Sequence, residues 1–177
     1  MLARGGQRGL IVCHALELVA LAVWVGGLVV IIGAVIPAVF NSFGMEPGGR
    51  FLTRVFDGYN RLTLAAIVVL AGTTGWRVRQ SRMGGDSTQA GSRMGRTEGI
   101  LLSLMIAMAA LIILVLGPMS VTLQEQAFAA QGEAAKKEAY DAFFRTHMIV
   151  RALYVVNLGF GIALLAVKAN TKLRVEN

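Results

Sequence analysis

"LIVCHALELVALAVWVGGLVVIIGAVIPAVF", Leu10 to Phe40, decides the fold. A membrane-crossing helix needs about 20 mostly apolar residues, and this run exceeds that. Three further apolar blocks follow, from Leu62 to Trp76, Ile100 to Leu116 and Met148 to Val167. The 177-residue chain is 55% hydrophobic and 15% charged, too little polar surface for a soluble domain of its size. The expectation is an all-α, integral membrane four-helix bundle forming a single domain over 1–177. Its spans fall at about 10–36, 59–77, 98–117 and 146–167. The second reaches spanning length only if Tyr59, Asn60 and Arg61 form its interfacial end. No internal repeat is visible. Although Arg4 and Arg8 precede the first block, it is too long for a signal-peptide core of about 7–15 residues and reads as a retained helix. The single cysteine, Cys13, gives no information on redox compartment.

The formal charge of +7 is explained by its distribution. Arg77, Arg79, Arg82, Arg93 and Arg96 stand against the one acid, Asp86, in the link between spans two and three. Arg4 and Arg8 precede span one, and Lys168, Lys172 and Arg174 follow span four. In a four-span chain all three segments share a side, and a basic excess in short flanking loops marks the cytoplasmic one. Both termini are expected inside, in the cytoplasmic (inner) membrane. The arginines lack aromatic interleaving or a nucleic-acid-binding module, so no nucleic acid is expected. Attraction to anionic lipid is the simpler use of the basic link. Its Gly- and Ser-rich part, Met83 to Gly95, reads as a connector.

After "LGPMS" the chain is rich in Ala, Glu, Gln and Lys, which favour helix, with Gly132 as the break. Pro118–Gln131 and Glu133–Thr146 are matched arms of about 21 Å. They predict an outer helical hairpin over 118–146 that extends spans three and four. Ala127, Ala130, Ala135, Ala139 and Ala142 would let the arms approach closely. Val121, Phe128, Tyr140, Phe143 and Phe144 are its apolar groups, the last four being the candidate docking residues for another membrane protein subunit.

Polar side chains inside the spans are the candidate site. His14 and Glu17 lie three apart and share a helix face. An intramembrane carboxylate must find a partner, face the bundle or take a proton. Glu17 therefore reads either as a proton, cation or cofactor site, or as a helix-docking group paired with His14 or a cytoplasmic arginine. In "FFRTHMIVRALYVVN", His147, Arg151 and Tyr154 form a stripe, and Asn157 is suited to an interhelical hydrogen bond. With both termini inside, His14 and His147 lie near opposite faces of a core about 30 Å thick, so one haem iron cannot reach both. Met119, His147 and Met148 are weak candidate Cu(I) ligands, and Met105 and Met108 share a face of span three. Methionine is otherwise ordinary apolar filler. No catalytic residue, metal or cofactor is expected, haem b or copper being the alternative.

Trp24, Gly26, Gly27 and Pro37 read as packing chemistry. Ala22 and Gly26 form a small-xxx-small pair that Gly33 continues. Trp24, away from the interfacial belts, should pack on a neighbouring helix. Pro37 should kink or end the first helix near the outer surface.

"ALAVWVGGLVVIIGAVIPAVF" (Ala20 to Phe40) resembles the first span of the transmembrane protein 205-like domain family, with its W-x-G-G core followed by P-x-x-F. "FFRTHMIVRALYVVN" resembles that family's last span. The matching residues are Trp24, Gly26, Gly27, Pro37, Phe40, Phe144, His147 and Asn157, while Arg151 departs from the pattern, standing where a small serine is expected. The resemblance implies a four-span membrane domain without implying an activity. The copper resistance protein D family and membrane protoporphyrinogen oxidases share a similar His then W-x-G-G-like start. The spacing of ten from His14 to Trp24 is longer than expected for the oxidase.

These observations lead to a non-enzymatic accessory or structural subunit of a membrane complex, held in the lipid bilayer and docking by helix packing and the hairpin. A haem- or copper-binding membrane protein is the alternative. Reporter fusions after Gly95 and after Gly132 should report opposite sides of the membrane, the first cytoplasmic. Matching signals from both would contradict the four-span reading.

Overall fold

The computed structural model describes residues 2–83 and 95–173, with the side chains of 1–8, 10, 80–94 and 171–177 outside the description. The expectations on the side chains of Arg4, Arg8, Arg82, Asp86, Arg93, Lys172 and Arg174, and on most of the 83–95 connector, fall outside what is described. Every described element is helical, and four helical stretches are long and apolar enough to cross a membrane: Ile11–Phe43, Met45–Arg79, Arg96–Ala129 and Glu133–Asn170.

The first crossing is built from α1 (Leu2–Val30), a π-helical turn (Ile31–Val35) and α2 (Ile36–Phe43). The second is α3 (Met45–Met83). The third combines α4 (Arg96–Leu111), a π-helical turn (Ile112–Leu116) and α5 (Gly117–Ala129). The fourth is α6 (Glu133–Leu173). α1 packs along α3 and α6, and α4 along α6. The shared core contains Leu21, Trp24, Leu28, Leu70, Met105, Ile112 and Leu164.

Pro37 does not end the first crossing. A helix-interior proline lacks an N–H and clashes with the carbonyl four residues earlier. The π turn ahead of it bonds Ile36 N–H to Ile31 O, widening the helix where that clash would fall. Pro118 is treated identically, with Gly117 N–H bonded to Ile112 O. There a Cβ on Gly117 would sit 3.0 Å from Ile112 O, which explains the glycine. Each π turn is thus followed by proline, a helical extension and a left-handed glycine, Gly44 (φ 75°) or Gly132 (φ 87°), before the return helix. The two hairpins repeat one device, although the sequence shows no repeat.

The 118–146 hairpin is present as α5 and the start of α6, with Ala127 fully buried. Its neighbour differs from expectation. The helix that carries the second crossing reaches back beyond Tyr59: α3 starts at Met45, and its first turns brace the hairpin. Arg50 pairs with Glu125 at 3.2 Å, and its guanidinium carbon lies 5.3 Å from the Phe128 ring centroid. Thr53 Oγ1 donates to Gly49 O at 3.1 Å and lies 3.4 Å from Gln124 Oε1.

The glycine reading also changes. A Cβ on Gly26 or Gly33 would meet nothing within 4 Å, and Ala22 is exposed. Close approach occurs instead at Gly27, where a Cβ would lie 3.1 Å from the Tyr59 ring. At Gly161 a Cβ would lie 2.5 Å from Val25 Cγ2. These contacts set the heights of the helices, bringing Tyr59 level with the middle of the first crossing.

Candidate functional site

Four ionisable side chains, one from each crossing, converge at the end of the bundle where α1 begins and α6 ends. Glu17 (α1) is 1% exposed, and Lys168 (α6) 7%. Glu17 Oε2 accepts from Lys168 Nζ at 2.7 Å and from Arg77 Nη2 (α3) at 2.5 Å. Lys168 Nζ also donates to Glu98 Oε1 (α4). Helix direction brings them together. Side chains lean toward their own helix N-terminus, so groups on antiparallel neighbours reach toward a common level. Glu17 lies ten residues below Gly27, about 15 Å by helical rise and about half the hydrocarbon thickness. The cluster therefore closes one end of the bundle, about 15 Å by helical rise from the middle of the first crossing.

Two carboxylates meet two cations, so the formal charge of the cluster is zero. Removing isolated charges from water costs several kcal/mol each, and only close opposite charges with good hydrogen bonds offset it. Of the pairings expected for Glu17, the one with an arginine at the end of the second crossing is present, to Arg77. Lys168 was expected as a tail cation. Instead it is enclosed by the four-helix packing and bridges the two acids. Glu98 carries no such signal in the sequence, since an acid in the first turn of a helix ordinarily serves the helix dipole. Glu17 Oε1 is buried without a hydrogen-bond partner. His14, half-buried one turn before Glu17, has contacts of its own.

A second polar group lies above the cluster, deep in the bundle. Tyr59 Oη donates to Trp24 O at 2.9 Å, and Tyr154 Oη donates to Asn60 Oδ1 at 3.1 Å. Trp24 itself is buried in the shared core, its backbone carbonyl taken by Tyr59 of the second crossing. Tyr59, expected at an interface, is buried against Gly27. The Tyr154 ring lies 5.3 Å from Phe56 and 6.3 Å from Tyr59, centroid to centroid. Thr63 and Asn157 are 2% exposed, and their side-chain oxygens have no hydrogen-bond partner. Both residues line a cavity of about 10 Å³ together with Trp24, Tyr59 and Tyr154. That is the scale of one water, against about 300–1,000 Å³ for a cofactor pocket.

The remaining candidates are dispersed. Tyr154 is buried, but His147 and Arg151 on the same stripe are exposed, with the His147 ring 5.5 Å from Phe143. Met119 and Met148 are exposed as well, so the weak copper set faces outward instead of enclosing a site. Among the described residues no three His, Cys, Asp or Glu side chains group as metal ligands. Phe128 and Tyr140 pack on each other at 6.4 Å, which leaves Phe144 and Val121 as the more open apolar groups of the hairpin.

Replacing Lys168 with Met should destabilise the bundle by about 3–5 kcal/mol, because Glu17 and Glu98 then remain buried beside one cation. Replacing Glu17, Arg77, Glu98 and Lys168 together with Met or Leu should recover most of that loss. Reversible unfolding in mixed detergent micelles checks both; equal losses would contradict charge compensation.

Residues 19–129, more than half of the chain, match the family described as Domain of unknown function (DUF4149), and the chain belongs to that family. The matched stretch holds Trp24, Gly27, both π-turn prolines, Tyr59, Arg77 and Glu98, while Glu17 and Lys168 lie outside it. Comparison with curated proteins and with solved structures gives no match.

Proposed function

Starting from membership in a family without an assigned activity, we propose that this protein is a non-enzymatic accessory or structural subunit of a membrane complex. The observation that carries the reading is the neutral four-helix ion cluster. A group built to bind, relay or transfer charge needs a member whose charge is available to a second species. Here each carboxylate is engaged by a cation from another helix, and the cations are engaged in turn. The result is a clamp that fixes the relative heights of four helices. The cavity beside Asn157 adds a second polar register mark and is too small for haem.

In this reading the braced hairpin is the presenting element. Its stiffness comes from the α3 extension, through Arg50 and Thr53, and it carries Phe144 and Val121 outward. The basic residues around the end that bears the cluster favour the cytoplasmic side for that end, placing both termini inside and the hairpin outside. The resemblance of Ala20–Phe40 and of the last span to the transmembrane protein 205-like domain family agrees with a four-span membrane domain.

Phe144→Ser combined with Val121→Ser should leave the chain inserted and folded but release the membrane proteins that co-purify with it. An unchanged set of partners would contradict docking through the hairpin. A Soret band or stoichiometric copper in the purified protein would overturn the non-enzymatic accessory reading in favour of a haem or copper protein.

A further inference from the structure

α3 carries charge where a lipid-facing helix should carry none. Asp57 and Arg61 flank Tyr59, whose ring lies against Gly27 at the middle of the first crossing. The two charged residues are therefore within about 3 Å, by helical rise, of the midpoint of the Ile11–Phe43 crossing. Both nonetheless point out of the bundle, with side chains 79% exposed at Arg61 and 63% at Asp57. They pair with each other at 2.9 Å, which neutralises the net charge without removing either group from its surroundings. Charged side chains at such depth face a bundle interior, an aqueous cavity or another protein surface. Among the described residues α3 packs chiefly along α1 and α2, which leave this face open.

The same face has a seven-residue pattern. Gly58, Ala65 and Gly72 recur at one position, and Arg61, Val68 and Gly75 at the position three residues later. All six are exposed, and a Cβ on Gly58, Gly72 or Gly75 would meet nothing within 4 Å. Four of the six are Gly or Ala, and small groups at seven-residue spacing are the seam of a left-handed helix pair in close contact.

We propose that this face of α3 is covered by α3 of a second copy, related by a two-fold axis along the bundle. Charge complementarity selects a second copy. Asp57 and Arg61 have opposite signs and stand four residues apart on one face. A parallel two-fold pair therefore places each Arg61 within reach of Asp57 of the second copy. The four charges close into a neutral ring between the helices. An isologous interface requires this self-complementarity. The glycines on either side let the backbones approach closely enough for the ring to be shielded from lipid. The inference is independent of the accessory-subunit reading, because a dimer is compatible with any partner at the hairpin.

The test uses the full chain in phospholipid vesicles, with Cys13→Ser as background. Ala65→Cys should form an oxidative disulfide dimer, while Leu104→Cys, exposed on α4, should not. Equal crosslinking from both positions, or none from Ala65→Cys, would overturn the proposal. So would crosslinking of position 65 to a different protein. In a second arm, Asp57→Arg and Arg61→Asp should each weaken self-association at least tenfold. Copies of the two variants mixed together should associate again. Unchanged self-association of the single variants would overturn the charge ring.

Discussion

The Glu17 carboxylate accepting from both Arg77 and Lys168 is the contact on which the bundle depends. Apolar packing in a membrane is weakly selective between helix heights, since lipid tails are as apolar as leucine side chains. A buried ion pair is selective, because any slip along a helix axis separates charges that water cannot reach. Glu98 extends the contact to α4, so the constraint reaches all four crossings. From that fixed end, Gly27 against Tyr59 and Gly161 against Val25 carry the register upward.

The opposite end is organised by backbone chemistry. Each hairpin uses a π turn to admit a proline, extends the helix beyond it, and reverses at a glycine with positive φ. The extensions differ in length. The shorter, α2, brings the chain directly into α3, whose first turns then support the longer hairpin through Arg50, Thr53 and Gln124. A rigid projection and a fixed base follow from these two ends, and the proposed subunit role uses both.

Much of this was legible in the residues. Continuous apolar runs gave four crossings, and the Ala/Glu/Gln/Lys composition around Gly132 gave the hairpin. Glu17 stood out because hydrocarbon penalises it. Its main partner did not, because Lys168 follows an apolar block and looks like an ordinary flanking cation; nothing in linear spacing links it to Glu17, 151 positions away. The reach of α3 was hidden for a related reason. Arg50, Arg54, Asp57 and Arg61 lower its hydropathy over the outer half, so Tyr59 looked like an interface residue when it is a core one. The π turns leave no hydropathy trace, and proline alone does not say whether a helix ends or widens.

The central claim is that Glu17 and Lys168 act as one energetic unit within the bundle. A double-mutant cycle in micelles, combining Glu17→Gln with Lys168→Met, measures that coupling directly. The account predicts a coupling energy above about 1 kcal/mol, with the double variant more stable than the sum of the single losses implies. Additivity within about 0.5 kcal/mol would mean that the two charges do not hold the helices together.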